Sequence, residues 1–254
     1  MLKLYSWNVN GLRAVAKHGF ADWLTSAAPD ILCLQETRVQ PHQLDLTLRH
    51  PQGYHSYWSP AAQAGYSGVG IYTRQEPHRI QVGMGMERFD IEGRTLIAEF
   101  ADFFLVNTYI PSGAEGRSKW FYKMAFLYQL LDDITLMQAE GKSIILCGDF
   151  NIAHQPIDVV RPIRVAGFTA EERDWVSELL EKGFLDAYRH LHPHQEGAYT
   201  WWSQREGLRD ANRGWRIDYI FISADLAGRL DDAQIHPQVR GSDHCPVSIT
   251  LTEA

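Results

Sequence analysis

The sequence predicts an α/β protein: a four-layered αββα sandwich of two packed, mostly antiparallel or mixed sheets flanked by helices. Two observations carry that expectation. Short apolar runs, often β-branched and bounded by Gly, Pro or Asp, recur along the whole 254-residue chain. Helical stretches are fewer and dispersed among them, so sheet must pack on sheet with helices outside. No repeat, low-complexity segment or long linker breaks the series.

Each element has a local reason. Strand 2–5 opens the chain with Leu2 and Leu4, and a helix is expected over 15–26. Strand 31–34 is Ile-Leu-Cys-Leu after Asp30; strands 54–58, 68–72 and 80–83 lie among Gly53, Gly68 and Gly83. Strands 94–100 and 103–109 are successive apolar runs. Helix 119–140 places Phe121, Ala125, Leu127, Leu131, Ile134 and Met137 on roughly one face and closes at Gly141. Strand 144–147 follows. Helix 170–182 starts at a capping box, Thr169 to Glu172, and ends before Gly183. Strands 218–222, 233–235 and 247–251 complete the set. The Gly/Pro-containing loops 111–116, 155–167 and 203–214 are the candidate functional loops.

Composition is that of an ordinary soluble globular protein, with 45% hydrophobic and 22% charged residues. No apolar run reaches the ~18 residues of a membrane span, and the N-terminus is not signal-like. Cys33, Cys147 and Cys245 each lie in an apolar strand, so buried reduced thiols and a reducing, cytoplasmic setting are expected. A net charge of −7 argues against indiscriminate nucleic-acid coating but not against local phosphate binding.

Five polar motifs sit at strand ends, where unpartnered polar groups would cost several kcal/mol to bury. They are Trp7-Asn8-Val9-Asn10-Gly11, Gln35-Glu36, Gly148-Asp149-Phe150-Asn151, Trp215-Arg216-Ile217-Asp218-Tyr219 and Ser242-Asp243-His244. Together they suggest one metal-dependent acid–base site collected at one rim of the sheets. They span residues 8 to 244, so a single domain over 1–254 is expected. Glu36 suits Mg²⁺, which takes one or two carboxylates and completes its shell with water and phosphate. Asp149 and Asn151 alternate along an extended segment and so face one cavity, an Asp oriented by an amide being suited to moving a proton. Asp218 is a distant partner for His244, fixing its tautomer and favouring its charged form, which would stabilise negative charge on a phosphate. Tyr109 ends its strand where its hydroxyl could reach a phosphoryl oxygen.

The ordered set closely resembles the exonuclease III family of AP endonucleases, within the endonuclease/exonuclease/phosphatase superfamily. The resemblance runs through residues 6–14, 30–37 and 65–69, then Cys147–His154, Gly214–Tyr219 and Gly241–Pro246. It implies a Mg²⁺- or Mn²⁺-dependent phosphodiesterase, acting as a monomer on double-stranded DNA. Cleavage would fall 5′ to abasic sites, with 3′→5′ exonuclease and 3′-end-cleaning activity. It assigns Glu36, with Asn8, Asn10 and Asp243, to the metal. Asp149, positioned by Asn151, would activate water or protonate the leaving group, and His244 with Asp218 and Tyr109 would hold the phosphate. Trp201, Trp215 and Ile217 would wall an abasic-sugar pocket selecting for base loss. Tyr66 belongs with the DNA and abasic-pocket residues, and Arg13, Arg205, Arg209 and Arg213, with Lys17, Arg74 and Arg216, could follow the DNA backbone.

Two departures stand out. The 158–168 loop is shorter than the Lys/Asn-rich stretch of relatives and contains no Asn, leaving Arg161 and Arg164 as its polar groups. Ser112 stands where some relatives have Asn or Gln. Two competing readings are a lipid or inositol phosphatase, disfavoured by the aromatic–Arg segment 199–216, and a non-catalytic regulator, disfavoured by the complete set of acids and His244.

Overall fold

A computed structural model describes residues 1–205 and 207–253; Glu206, within the arginine-bearing segment, lies outside them. Among the described residues, twelve strands form two six-stranded sheets. One sheet runs β11-β12-β1-β2-β4-β3 and the other β5-β6-β7-β8-β10-β9. The first contains β1 (Leu2–Asn8), β2 (Ile31–Gln35), β3 (His55–Ser59), β4 (Val69–Thr73), β11 (Leu230–Ile235) and β12 (Val247–Leu251). The second contains β5 (Arg79–Val82), β6 (Thr95–Glu99), β7 (Phe103–Tyr109), β8 (Ser143–Asp149), β9 (Phe184–Asp186) and β10 (Asp218–Ser223).

Each sheet has a single parallel pair at its centre, β1 with β2 and β7 with β8, and antiparallel pairs elsewhere. The expected strands all occur, with ends shifted by one to a few residues. Only β9 was missed: three residues give no period to read.

Leu4, Cys33, Val69 and Ile71 from one sheet meet Leu96, Leu105, Ile145, Cys147 and Ile220 from the other in a continuous apolar layer. Polar groups cross it near the site, where Gln35 Nε2 donates to Ser6 Oγ and Asn107 Oδ1, and Asn107 Nδ2 donates to the Leu34 and Gly70 carbonyls. Gly148 permits the close approach of β7: its φ is +143°, and a Cβ there would lie 1.8 Å from the Thr108 carbonyl oxygen.

The helices are α1 (Leu12–Ala16), α2 (Phe20–Ala27), α3 (Leu46–Arg49), α4 (Glu87–Asp90), α5 (Arg117–Ala139), α6 (Ala170–Glu181) and α7 (Ala187–Leu191). The first three cover the outer face of the first sheet, and α5 and α6 cover the second. The helix expected over 15–26 is broken, because Gly19 takes a left-handed φ of 87° between α1 and α2.

The apolar face expected for α5 was half right. Leu127, Leu131 and Ile134 are buried, but Phe121 is 53% exposed while Lys123 is buried. Lys123 Nζ forms an ion pair with Glu172 at 2.6 Å and donates to the Asn151 carbonyl at 2.7 Å. The capping box of α6 forms as expected, and its Glu172 also accepts from the Gly167 N–H. No helix among the described residues is long and apolar enough to cross a membrane, and all three cysteines are free and buried.

Candidate active site

Parallel pairing explains why the polar strand ends gather. In each central pair both strands run the same way, so their C-terminal ends lie side by side: Asn8 beside Gln35, and Tyr109 beside Asp149. Antiparallel β10 enters at the same rim, with Asp218 opposite Asp149. β12 starts there too, directly after His244, Cys245 and Pro246.

At three of these ends the backbone turns sharply through left-handed φ values: 47° at Asn10, 49° at Glu36 and 51° at Asn151. Such conformations are costly for residues other than Gly and cluster at functional sites. They correct one expectation. Asp149 and Asn151 meet through a tight turn, not through strand alternation: the Asn151 N–H donates to Asp149 Oδ1 at 2.8 Å, and Asn151 Nδ2 donates to the Ile110 carbonyl.

Asn8 ties the two sheets together at the site. Its Nδ2 donates to Glu36 Oε1 at 2.9 Å and to Asp149 Oδ2 at 2.8 Å, while Oδ1 accepts from the Asn10 N–H. His244 Nδ1 lies 2.9 Å from Asp218 Oδ2, leaving Nε2 3.8 Å from Asp149 Oδ2. Thr200 Oγ1 accepts from the N–H groups of Ile217 and Asp218, and Ser242 Oγ donates to the Asn8 carbonyl. Neither Thr200 nor Ser242, though Ser242 opens one of the five polar motifs, has a role that the sequence predicts, since a hydroxyl gives no signal of its partners.

Burial lifts Asp149 to about 7, with Asp218 and Glu36 adding to the rise and His244 opposing it. Burial alone would lower His244, but Asp218 and then Asp149 override it and hold the imidazole up to about 10. Glu36 moves the other way: burial would raise it, and the Asn8 amide, Arg38 and His244 outweigh that and lower it. Tyr109 is pushed well up by burial and by the facing carboxylates of Glu36 and Asp149.

Ligand-type atoms of Glu36, Asp149 and His244 lie within 4.8 Å of one another, forming a possible metal site in which the two carboxylates are the donors, because His244 in its charged form has no free lone pair. Two carboxylates converging on one neutral amide leave negative charge that a cation would offset. Oxygen donors without a thiolate suit a hard divalent ion. This grouping differs from the expected one. Asp243 accepts from Asn10 Nδ2 through Oδ1 and from Trp201 Nε1 through Oδ2, and it is not among the three residues whose donor atoms converge. Asp149 takes its place beside Glu36. Arg38, which was not anticipated, donates to Glu36 Oε2 at 2.5 Å.

An aromatic wall adjoins the polar centre. Trp201 pairs with His244 on one side and with Trp215 on the other, and Trp215 pairs with Val159. Val159, Phe168 and Ile217 form an apolar cluster against both indoles. Trp202 is buried.

The basic residues divide by burial. Arg13, Arg205 and Arg213 are exposed. Arg205 and Arg209 line a cavity of about 530 Å³ together with Asn10 and Asp243. Arg209 also stacks on Trp202 and donates to the Ser242, Pro237 and Val239 carbonyls, which holds the 203–214 loop against the 237–242 segment.

Arg216 is not a backbone-following arginine. It is fully buried and ion-paired with Asp158 at 2.8 Å and Asp186 at 2.7 Å. Arg74 extends from the far end of β4, the end remote from Gln35, so the sheet separates it from the site. Tyr66 accepts from Arg94, whose guanidinium stacks on Tyr109 at 4.6 Å and also donates to the Tyr109 carbonyl. Arg94 was likewise missed, because an arginine at a strand start reads as solvated.

A family model described as the endonuclease/exonuclease/phosphatase family matches residues 5–244. An exodeoxyribonuclease of Bacillus subtilis (strain 168) is 45% identical, spanning 98% of this chain and 99% of that protein. The DNA repair nuclease APEX1 of Danio rerio is 41% identical, spanning 98% and 82%. Among solved structures, an AP endonuclease from Archaeoglobus fulgidus superposes with a TM-score of 0.90 at 32% identity, covering 99% of each chain.

Proposed function

The chain belongs to the endonuclease/exonuclease/phosphatase family and is a DNA repair nuclease of the exonuclease III type, and from that premise we propose how its residues act and on what. The reaction is hydrolysis of the phosphodiester 5′ to an abasic nucleotide in duplex DNA, leaving a 3′-hydroxyl. Removal of 3′ blocking groups and 3′→5′ exonuclease activity accompany it, with Mg²⁺ or Mn²⁺ as cofactor and a monomer as the working form. Unpaired, buried thiols fit a reducing compartment.

The observation that carries this reading is the seam itself. One acid from each sheet and a charged imidazole converge beside an aromatic wall. A divalent ion held by Glu36 with Asp149 would polarise a phosphoryl oxygen and offset its negative charge.

The remaining work falls to the chain's own groups. Asp149, with Asn151 fixing its orientation, takes a proton from water or returns one to the leaving oxygen. His244, kept charged by Asp218, presents Nε2–H to the phosphate, and Tyr109 offers its hydroxyl from the neighbouring strand. Trp201, Trp215 and Ile217 accept a sugar that has lost its base. Flipping a nucleotide costs a few kcal/mol, least where nothing unstacks, so an apolar pocket of this kind selects for base loss.

A nicking assay on a duplex with one tetrahydrofuran abasic analogue tests the reading. Incision is expected with Mg²⁺ and none in EDTA; a metal-independent cut, or no cut at all, would overturn it.

A further inference from the structure

Ten large apolar side chains are exposed among the described residues, and three of them lie within six positions: Val160 at 38%, Ile163 at 54% and Val165 at 41%. Single exposed apolar residues are ordinary, but a cluster on one loop marks a contact surface. Here the cluster occupies the loop between Val159 and Phe168.

The loop is rigidly rooted. Buried Asp158 is gripped by Arg216 and Arg189, Val160 N–H donates to the Gly214 carbonyl, and Phe168 N–H returns to the Val165 carbonyl. Ion pairing and backbone bonds thus hold both ends while the tip, Val160 to Val165, projects. Arg161, Pro162 and Arg164 stand exposed along the same stretch.

The position of the root relative to the chemistry can be read from backbone pairing. His244 pairs with Trp201, Trp201 with Trp215, and Trp215 with Val159. Three strand spacings of ~4.8 Å place the loop root roughly 14 Å from His244. At 3.4 Å per step of duplex that is about four base steps.

Resting on the nuclease reading above, we infer that Val160, Ile163 and Val165 form an apolar wedge that enters the base stack a few steps from the scissile phosphate, with Arg161 and Arg164 on the flanking phosphates. Three features favour duplex DNA as the occupant. The loop is continuous with the row of residues that ends at His244, its arginines complement phosphate, and its apolar tip matches the residue types that pry base steps apart.

The test uses the triple variant Val160→Ser/Ile163→Ser/Val165→Ser, whose changes are all on the surface. The substrate is a tetrahydrofuran duplex carrying 2-aminopurine in turn at each position within about five steps of the lesion, the reach set by the duplex rise. Binding is read by anisotropy and unstacking by 2-aminopurine emission, both in the Asp149→Asn background so that the strand stays whole. The native loop should raise emission at one or two positions, and the triple variant should not.

In the active background, kcat/KM for incision should fall about tenfold in the triple variant, the expected effect of a modest unstacking deficit. A mismatch placed at the reporting position should restore it, because the step is then already loosened. Emission that is the same with both loops, or a loss of activity that the mismatch does not repair, overturns the wedge. The emission measurement needs no turnover, so an absence of incision by the native chain counts against the nuclease reading alone.

Discussion

The two walls of the cleft are held by different means. In the polar wall the functional groups hold one another: Asn8 bonds both acids, Asn151 bonds Asp149, and Asp218 bonds His244. In the aromatic wall the functional surfaces are apolar and cannot do this. Between Trp215 and Ile217, Arg216 is buried and anchors the segment through its ion pairs with Asp158 and Asp186. Lys123 and Glu172 link the two walls. The ammonium holds the Asn151 carbonyl on the polar side, and Glu172 holds the Gly167 N–H on the other. Damage to the polar wall should therefore strike turnover, and damage behind the aromatic wall should strike stability and substrate choice.

The sharpest break in that contrast is Asp149→Asn. Turnover on abasic DNA should fall by at least the ~10²–10⁴-fold typical of a general acid or base, with DNA affinity retained. Near-normal single-turnover rates would remove Asp149 from the chemistry.

Asp218→Asn comes next. The native imidazole, held up to about 10, stays charged through neutral pH and loses its proton only as the pH rises to that value. Without Asp218 it loses the proton earlier, so the alkaline limb of the pH–rate profile should move toward neutrality. An unmoved limb would mean that His244 acts in another way.

Metal affinity supplies a third comparison. Asp149 is protonated below about 7, and a proton on that carboxyl competes with a cation. Mg²⁺ affinity should therefore rise as the pH increases through neutrality, measured by titration of the Asp149-containing protein against an Asp149→Asn control that lacks the step.

Behind the walls, Lys123→Met strands Glu172 in the core and should cost about 3–5 kcal/mol in chemical denaturation, with partial recovery in the Lys123→Met/Glu172→Gln double variant. Trp201→Ala should lower kcat/KM on abasic DNA by about ten- to a hundredfold, in keeping with the worth of one aromatic contact. The loss on undamaged 3′ ends should be smaller, and equal losses would make the indole purely structural. The smallest effect belongs to Phe121→Ser on the outer face of α5, within about 0.5 kcal/mol.

The polar wall was legible in the sequence because a carboxylate or amide at the end of an apolar strand is anomalous without knowledge of its partner. Glu36, Asp149, Asp218 and His244 announce themselves in this way. Asp243 did so too, but its bonds to Asn10 Nδ2 and Trp201 Nε1 are visible only in three dimensions. The supports were legible only in part. Arg216 lies between Trp215 and Ile217, so alternation alone predicts that it points away from the pocket; its charge obscured that signal. Lys123 shares the buried arc of α5 with Leu127 and Ile134, but no sequence rule foretells that Glu172 waits opposite. Arg94 and the Gln35–Asn107 bridge were hidden for the same reason: long-range polar pairs leave no local period.

The central parallel pair in each sheet has one more consequence. Glu36 is carried by one sheet and Asp149 by the other, and Asn8 is the single side chain seen bonding to both. Their separation is therefore gauged by whatever fills the layer between the sheets, including Cys33 and Cys147, which lie in that layer shortly before the two acids. The thickness of the hydrophobic interior sets the spacing of Glu36 and Asp149. The core of this protein is a ruler as well as a source of stability, and changing its volume rescales the site without touching any residue in it.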